Sequence, residues 1–210
     1  MTTASFRRTI LCTLALSLAP GCGALSAKGE EGAARYFSLE LAPAPPGVVP
    51  AELPAAAPAG AELRLGRVTS APHLEERMVF RNSAREIGYY RERRWTEPPE
   101  MFLGPLLARA LFERRGLRQV VSGPGPTLDV QLVALDEIRA PELMARVVVV
   151  AQLHDARLVL WEETFTVERA VVRKKGGDPA VATVDALGEA LRVAVDSVAD
   201  QAVRVLAESR

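Results

Sequence analysis

Between residues 127 and 172 the chain carries three long apolar-alternating runs parted by turns of a few residues, and this block constrains the fold more than any other stretch. In the first run, residues 127–138, Leu128, Val130 and Leu132 alternate with polar neighbours and Ala134 extends the series. The second, residues 145–153, holds four consecutive valines, Val147 to Val150, a β-branched run typical of strands covered on both faces. His154, Asp155, Ala156 and Arg157 turn the chain into the third, residues 158–172. There Leu158, Leu160, Glu162, Thr164 and Thr166 take one face, and Val159, Trp161, Phe165 and Val167 the other. Long period-two runs joined this tightly predict an antiparallel meander.

A meander of this kind has an apolar face to cover, and the chain supplies a helix at once. Asp178 is placed to cap it and Pro179 to occupy its first turn. Val181, Val184, Leu187, Leu191, Val195, Val198, Ala202 and Val205 then recur in steps of three or four. That spacing predicts an amphipathic helix of about 30 residues and about 45 Å, its apolar stripe lying across the sheet.

The upstream half reads as shorter elements. Residues 35–41 alternate as a first strand; six prolines between Pro43 and Pro58 then mark an exposed, extended connection. Leu63, Leu65 and Val68 predict a strand ended near Pro72, and residues 78–80 and 86–90 two more with a turn at Asn82 and Ser83. Thr96 as cap and Pro98 and Pro99 in the first turn predict a helix bearing Leu103, Leu106, Leu107, Ala110 and Leu111 up to Gly116. Gly104 and Pro105 either kink that helix or delay its start. A strand at 117–121 and a Gly-Pro-Gly-Pro loop at 123–126 complete the order. The fold class expected is α+β: a mostly antiparallel sheet with two principal helices packed on it, in one domain over residues 35–210.

Charge and composition remove several function classes. Lys+Arg and Asp+Glu both number 26, which gives no long-range attraction to nucleic acid or to an anionic membrane face. The only cysteines are Cys12 and Cys22, and the only histidines His73 and His154, so the folded part has no disulfide and no thiolate metal site. Both histidines read as surface residues, one beside Pro72 and one in the hairpin turn. Glu162 and Glu163 point to opposite faces of a strand and cannot converge as a carboxylate pair. The prolines of the 123–126 loop remove the N–H donors that a phosphate cradle needs. Arg91, Arg93 and Arg94 read as an exposed strand end. No catalytic residue, metal site or cofactor is expected, and the chain is read as a non-enzyme.

The first residues read as a leader. Arg7 and Arg8 precede an uncharged, mostly apolar run at 9–19, too short to span a bilayer as a helix. It is similar to a lipoprotein signal, with Gly21 before a cysteine, Cys22, that would receive diacylglycerol and palmitate. Residues 1–21 are then the signal peptide, and residues 22–34 the anchor and a flexible tether of about 18 Å reach. Ordinary cleavage near Ser26 is the alternative. Gly23 after the cysteine favours the outer membrane, facing the periplasm.

The order of elements resembles the ABC-type transport auxiliary lipoprotein family, the PqiC-like proteins, from about Tyr36 to Leu206. The most specific stretch runs from Glu86 to Pro99; Arg81, Tyr89, Tyr90, Trp95, Pro98 and Pro99 match the family pattern in order. Leu153, His154 and Asp155 match a turn between its two long strands. The resemblance implies a non-catalytic lipoprotein working with an ABC permease and an MCE-domain substrate-binding protein. Such systems move lipids or hydrophobic compounds across the envelope, and a homo-oligomeric ring is one form the assembly can take. Tyr89, Tyr90 and Trp95 are candidates for the partner surface, because aromatic residues anchor interfaces; core packing before the helix is their alternative. A scaffold of another envelope assembly or a periplasmic lipid carrier would use the same fold.

Overall fold

The computed structural model describes residues 33–39, 57–58 and 60–209. The signal segment, Cys22 and the proline-rich connection up to residue 56 lie outside the described residues. In chain order the elements are β1 (Arg35–Phe37), β2 (Glu62–Ser70), β3 (Arg77–Ser83), β4 (Glu86–Trp95), α1 (Pro99–Ala108), β5 (Arg118–Gln119), β6 (Thr127–Ile138), β7 (Met144–His154), β8 (Val159–Ala170) and α2 (Pro179–Glu208). The class is α+β, one mixed eight-stranded sheet bearing two helices.

β6 is the spine of the sheet. Along one side β7 pairs with it antiparallel from end to end, and β8 pairs antiparallel with β7, which is the meander. Along the other side the sheet splits. β2 lies parallel to the first half of β6, and β3 lies parallel to its end, Val79 opposite Asp136 and Arg81 opposite Ile138. β3 turns into β4 as a hairpin, β4 ends beside β1, and β2 carries the two-residue β5 at its edge.

The valine run is covered on one face only. Ala145, Val147, Val149, Ala151 and Leu153 are fully buried against α2, whereas Val148 and Val150 are half-buried on the opposite face. Four consecutive β-branched residues therefore reflect strand propensity rather than two covering layers. α2 starts as expected: the Ala180 N–H donates to Asp178 Oδ1 at 2.8 Å, and Pro179 follows the cap. Its buried stripe interleaves Leu187, Leu191, Val195, Val198 and Leu206 with Ala190, Ala194, Ala199 and Ala202, small side chains that let the helix lie close to the sheet. Each large aliphatic group buried there contributes about 1.5–3 kcal/mol.

α1 departs from the sequence reading at its cap and in its last turns, and decides between the two alternatives left open inside it. Thr96 does not cap it; Pro98 stands at the cap without a side-chain bond. Gly104 and Pro105 do not delay it, since the helix runs through both. It then widens to π geometry over Arg109–Arg114 and stops at Gly116, whose φ of 72° needs no Cβ. The first strand stops at Phe37 rather than residue 41, the β3–β4 turn falls at Ala84 and Arg85 rather than Asn82 and Ser83, and β4 continues to Trp95.

One irregularity matters most for the site. The pairing of β6 with β7 slips between Leu132 and Ala134, which reverses the alternation beyond it. Leu135 and Glu137 consequently share the α2 side with Val147 and Ala145, while Ala134 and Asp136 turn to the other face.

Candidate interaction surface

The three aromatic candidates do not form one patch. Trp95 is 1% exposed and packs edge-on to Phe102 of α1, ring centres 6.2 Å apart. It belongs to the core, where it joins the end of β4 to Phe102 of α1. Tyr89 and Tyr90 are both half-buried, and as neighbours on a strand they project from opposite faces.

Tyr90 lies on the α2 side, at the centre of a polar cluster that the slip in β6 creates. Its hydroxyl donates a short hydrogen bond to Glu137 Oε1. The other carboxylate oxygen accepts from Thr183 Oγ1 of α2 at 2.6 Å, and Arg139 Nε donates to Oε1 at 3.3 Å. Arg93 stands 3.7 Å from Oε2, with its guanidinium 4.0 Å from the Tyr90 ring centre. Arg139 also stacks 3.4 Å over Phe80, which meets Tyr90 edge-on at 5.1 Å. Arg93 is thus turned inward, half-buried, rather than displayed at an exposed strand end.

Electrostatics follow from this packing. Burial alone would push the Glu137 carboxyl up, but hydrogen bonds from Thr183, Tyr90 and Arg139 and the charge of Arg93 outweigh it and hold it below its ordinary value. Burial and the bond to ionised Glu137 both push the Tyr90 hydroxyl up. Each polar group thereby keeps the form the bonds require, Glu137 as acceptor and Tyr90 as donor. The cluster ties β3, β4 and β6 to the first turns of α2.

Tyr89 lies on the opposite face with Ile87, which is 38% exposed, and the Arg77 guanidinium sits 4.7 Å from its ring centre. Across β3 on the same face, the Asp136 carboxylate is fully buried between Arg81 Nε at 2.6 Å and Arg146 Nη2 at 2.9 Å. This leaves one external patch at the β3–β4 hairpin: an aromatic ring, an aliphatic side chain and a guanidinium, flanked by a buried ion pair.

Neither histidine joins it. His154 is half-buried at the end of β7 with Nε2 3.6 Å from Asp129 Oδ2, and His73 is half-buried before β3. Among the described residues no group of three or more metal-ligating side chains converges, and no helix is long and apolar enough to cross a membrane.

The sequence model of the ABC-type transport auxiliary lipoprotein component family matches residues 39–202. The chain belongs to that family. No curated protein sequence matches it. Solved structures share the fold of this auxiliary component. Protein XCC0632 from Xanthomonas campestris, of the family DUF330, superposes with a TM-score of 0.67 at 16% identity over 83% of this chain and 98% of that one. An uncharacterized protein gives 0.58 at 13% identity, over 81% of this chain and 99% of its own. The hypothetical protein CT253 from Chlamydia trachomatis gives 0.51 at 7% identity, over 71% and 99%. The family is one of transport components rather than of enzymes, and membership associates this chain with an ABC-type transport system at the cell envelope.

Proposed function

We propose that this auxiliary component is a lipoprotein held through acylated Cys22 at the periplasmic face of the outer membrane, where it docks an ABC transport system without catalysing a reaction. The partner in this reading is the MCE-domain substrate-binding protein, the cargo lipids or other hydrophobic compounds, and the docking surface the hairpin patch of Ile87, Tyr89 and Arg77. The observation that carries the reading is the family match over residues 39–202, on a domain whose external aromatic patch is flanked by a buried ion pair. Aromatic and arginine side chains are enriched where proteins bind one another, and a rigid surround lowers the ordering cost of association. Tyr90 acts here by fixing the hairpin rather than by contact. The space between α2 and the sheet is filled by side chains such as Leu187, Leu191 and Val195, each at most 1% exposed, which supports docking over carriage of a lipid inside the domain. A ring of copies remains compatible with this role.

The anchor is tested by fractionating cells that express the chain or its Cys22→Ala variant, followed by mass spectrometry of the N-terminal fragment. Acyl mass on Cys22 in the outer-membrane fraction, lost in the variant, is the expected result. A soluble protein cleaved near Ser26 without lipid would contradict the reading.

A further inference from the structure

β8 is the longest edge of the sheet. It has twelve residues and among the described residues pairs only with β7, whereas β1 covers Arg93–Trp95 of β4 and β5 covers Glu62 and Leu63 of β2. Its register with β7 is unbroken from Ala170 opposite Met144 to Trp161 opposite Leu153. The Val171 N–H donates to the Leu143 carbonyl, so in an antiparallel ladder the odd-numbered residues of β8 bond to β7. The N–H and C=O groups of Glu162, Thr164, Thr166 and Glu168 then point outward, and all four residues are exposed. No proline or bulge interrupts them. Such an edge is a template for a further strand.

The side chains say what kind of strand fits. β8 carries Glu162, Glu163 and Glu168 against Arg169 as its only cation. On the α2 side it presents the half-buried Trp161, Phe165 and Val167, with the exposed Glu163 between the first two. That side leads to a groove of about 370 Å³ between the end of β8 and the start of α2, where the exposed Val172 and Val181 stand beside Asp185. A second copy of β8 is a poor occupant, because antiparallel self-pairing would set three glutamates from each copy along one seam, with Glu162 opposite Glu168 when centred on Phe165. A strand alternating basic and apolar residues places its cations against Glu162 and Glu168 and its apolar groups against Trp161, Phe165 and Val167.

We infer that β8 is a strand-addition site for an extended, basic, alternately apolar segment of a partner protein. This stands on the sheet edge alone and does not require the hairpin patch or the lipid anchor. Main-chain bonds would supply affinity and the glutamates would supply choice of partner.

The probe is a capped synthetic peptide of about ten alternating Lys and Val residues, long enough to span the edge, added to the complete domain with its tether. Amide exchange of Thr164 and Thr166 should slow by about tenfold or more at saturation, since their N–H groups become bonded. Thr164→Pro should abolish binding and protection, because it removes an outward N–H and leaves the β7 bonds in place. Glu162→Lys combined with Glu168→Lys, both surface changes that spare the fold, should weaken the peptide by about tenfold or more and let a Glu/Val peptide bind instead. Binding without any change in exchange would mean diffuse charge attraction and would overturn the inference. Equal binding by a folded Thr164→Pro variant would also overturn it, as would a dimer in sedimentation that this substitution dissolves.

Discussion

Glu137 shows how much one side chain can hold together: its two carboxylate oxygens take bonds from β4, α2 and the segment after β6 at once. Its carboxyl titrates below the ordinary value in the folded chain. The stabilisation it gives is therefore complete above the ordinary carboxylate range and is lost as pH falls through the folded value. Glu137→Gln should cost about 1–3 kcal/mol near neutral pH, and the gap from wild type should close on acidification, as urea titrations at about pH 7 and about pH 3 would report. A gap independent of pH would mean that shape rather than charge holds the cluster. Gly88 is a second single-residue constraint, because a Cβ there would stand 2.3 Å from Phe80 Cζ. Gly88→Ala must push the Phe80 ring off Arg139 and Tyr90, costing about 1–3 kcal/mol in the same titration. Neither role was legible in sequence. Glu137 sits in a period-two run and falls on the buried side only because the pairing slips between Leu132 and Ala134, a non-local event that alternation does not encode.

At the scale of elements, long regular segments were legible with their ends, and short ones only in their place. β6 to β8 and α2 carry their own period over ten or more residues, and Asp178 and Pro179 mark the start of α2 locally. β1 and β5 have two or three residues and exist through their neighbours, so no pattern within them sets their ends. The π turn after α1 is likewise a tertiary outcome. Arg115, 4% exposed, follows it and donates to Asp200 Oδ1 at 2.8 Å, to the Asp196 carbonyl at 2.9 Å and to the Ala110 carbonyl at 3.1 Å. It bolts the end of the π turn to the middle of α2. Arg115→Ala takes a donor from each of those acceptors and should cost about 1–3 kcal/mol, seen as a lowered thermal midpoint. A midpoint unchanged within error would show that the apolar contacts of α1 and α2 suffice alone. Leu191→Ala, in the fully buried stripe of α2, should cost about 2–5 kcal/mol through the cavity it leaves.

For the molecule as a whole, class, helix count and family were readable because they depend on the order of elements, which a sequence displays directly. The composite surface was not. Tyr89, Tyr90 and Trp95 are near neighbours in sequence yet end on one face, the other face and in the core, since a strand separates adjacent side chains and α1 covers the last of them. The proposed docking role places contact on Tyr89 and Ile87 and excludes Trp95. The most direct measurement is photo-crosslinking in cells, with a benzophenone amino acid at position 89 of the 210-residue chain and a second chain labelled at Glu189 on the exposed face of α2 as control. The account predicts a product from position 89 that contains the MCE-domain protein of an ABC transport system, absent from position 189. Crosslinking from position 89 to no envelope transport protein, or the same product from both positions, would contradict it.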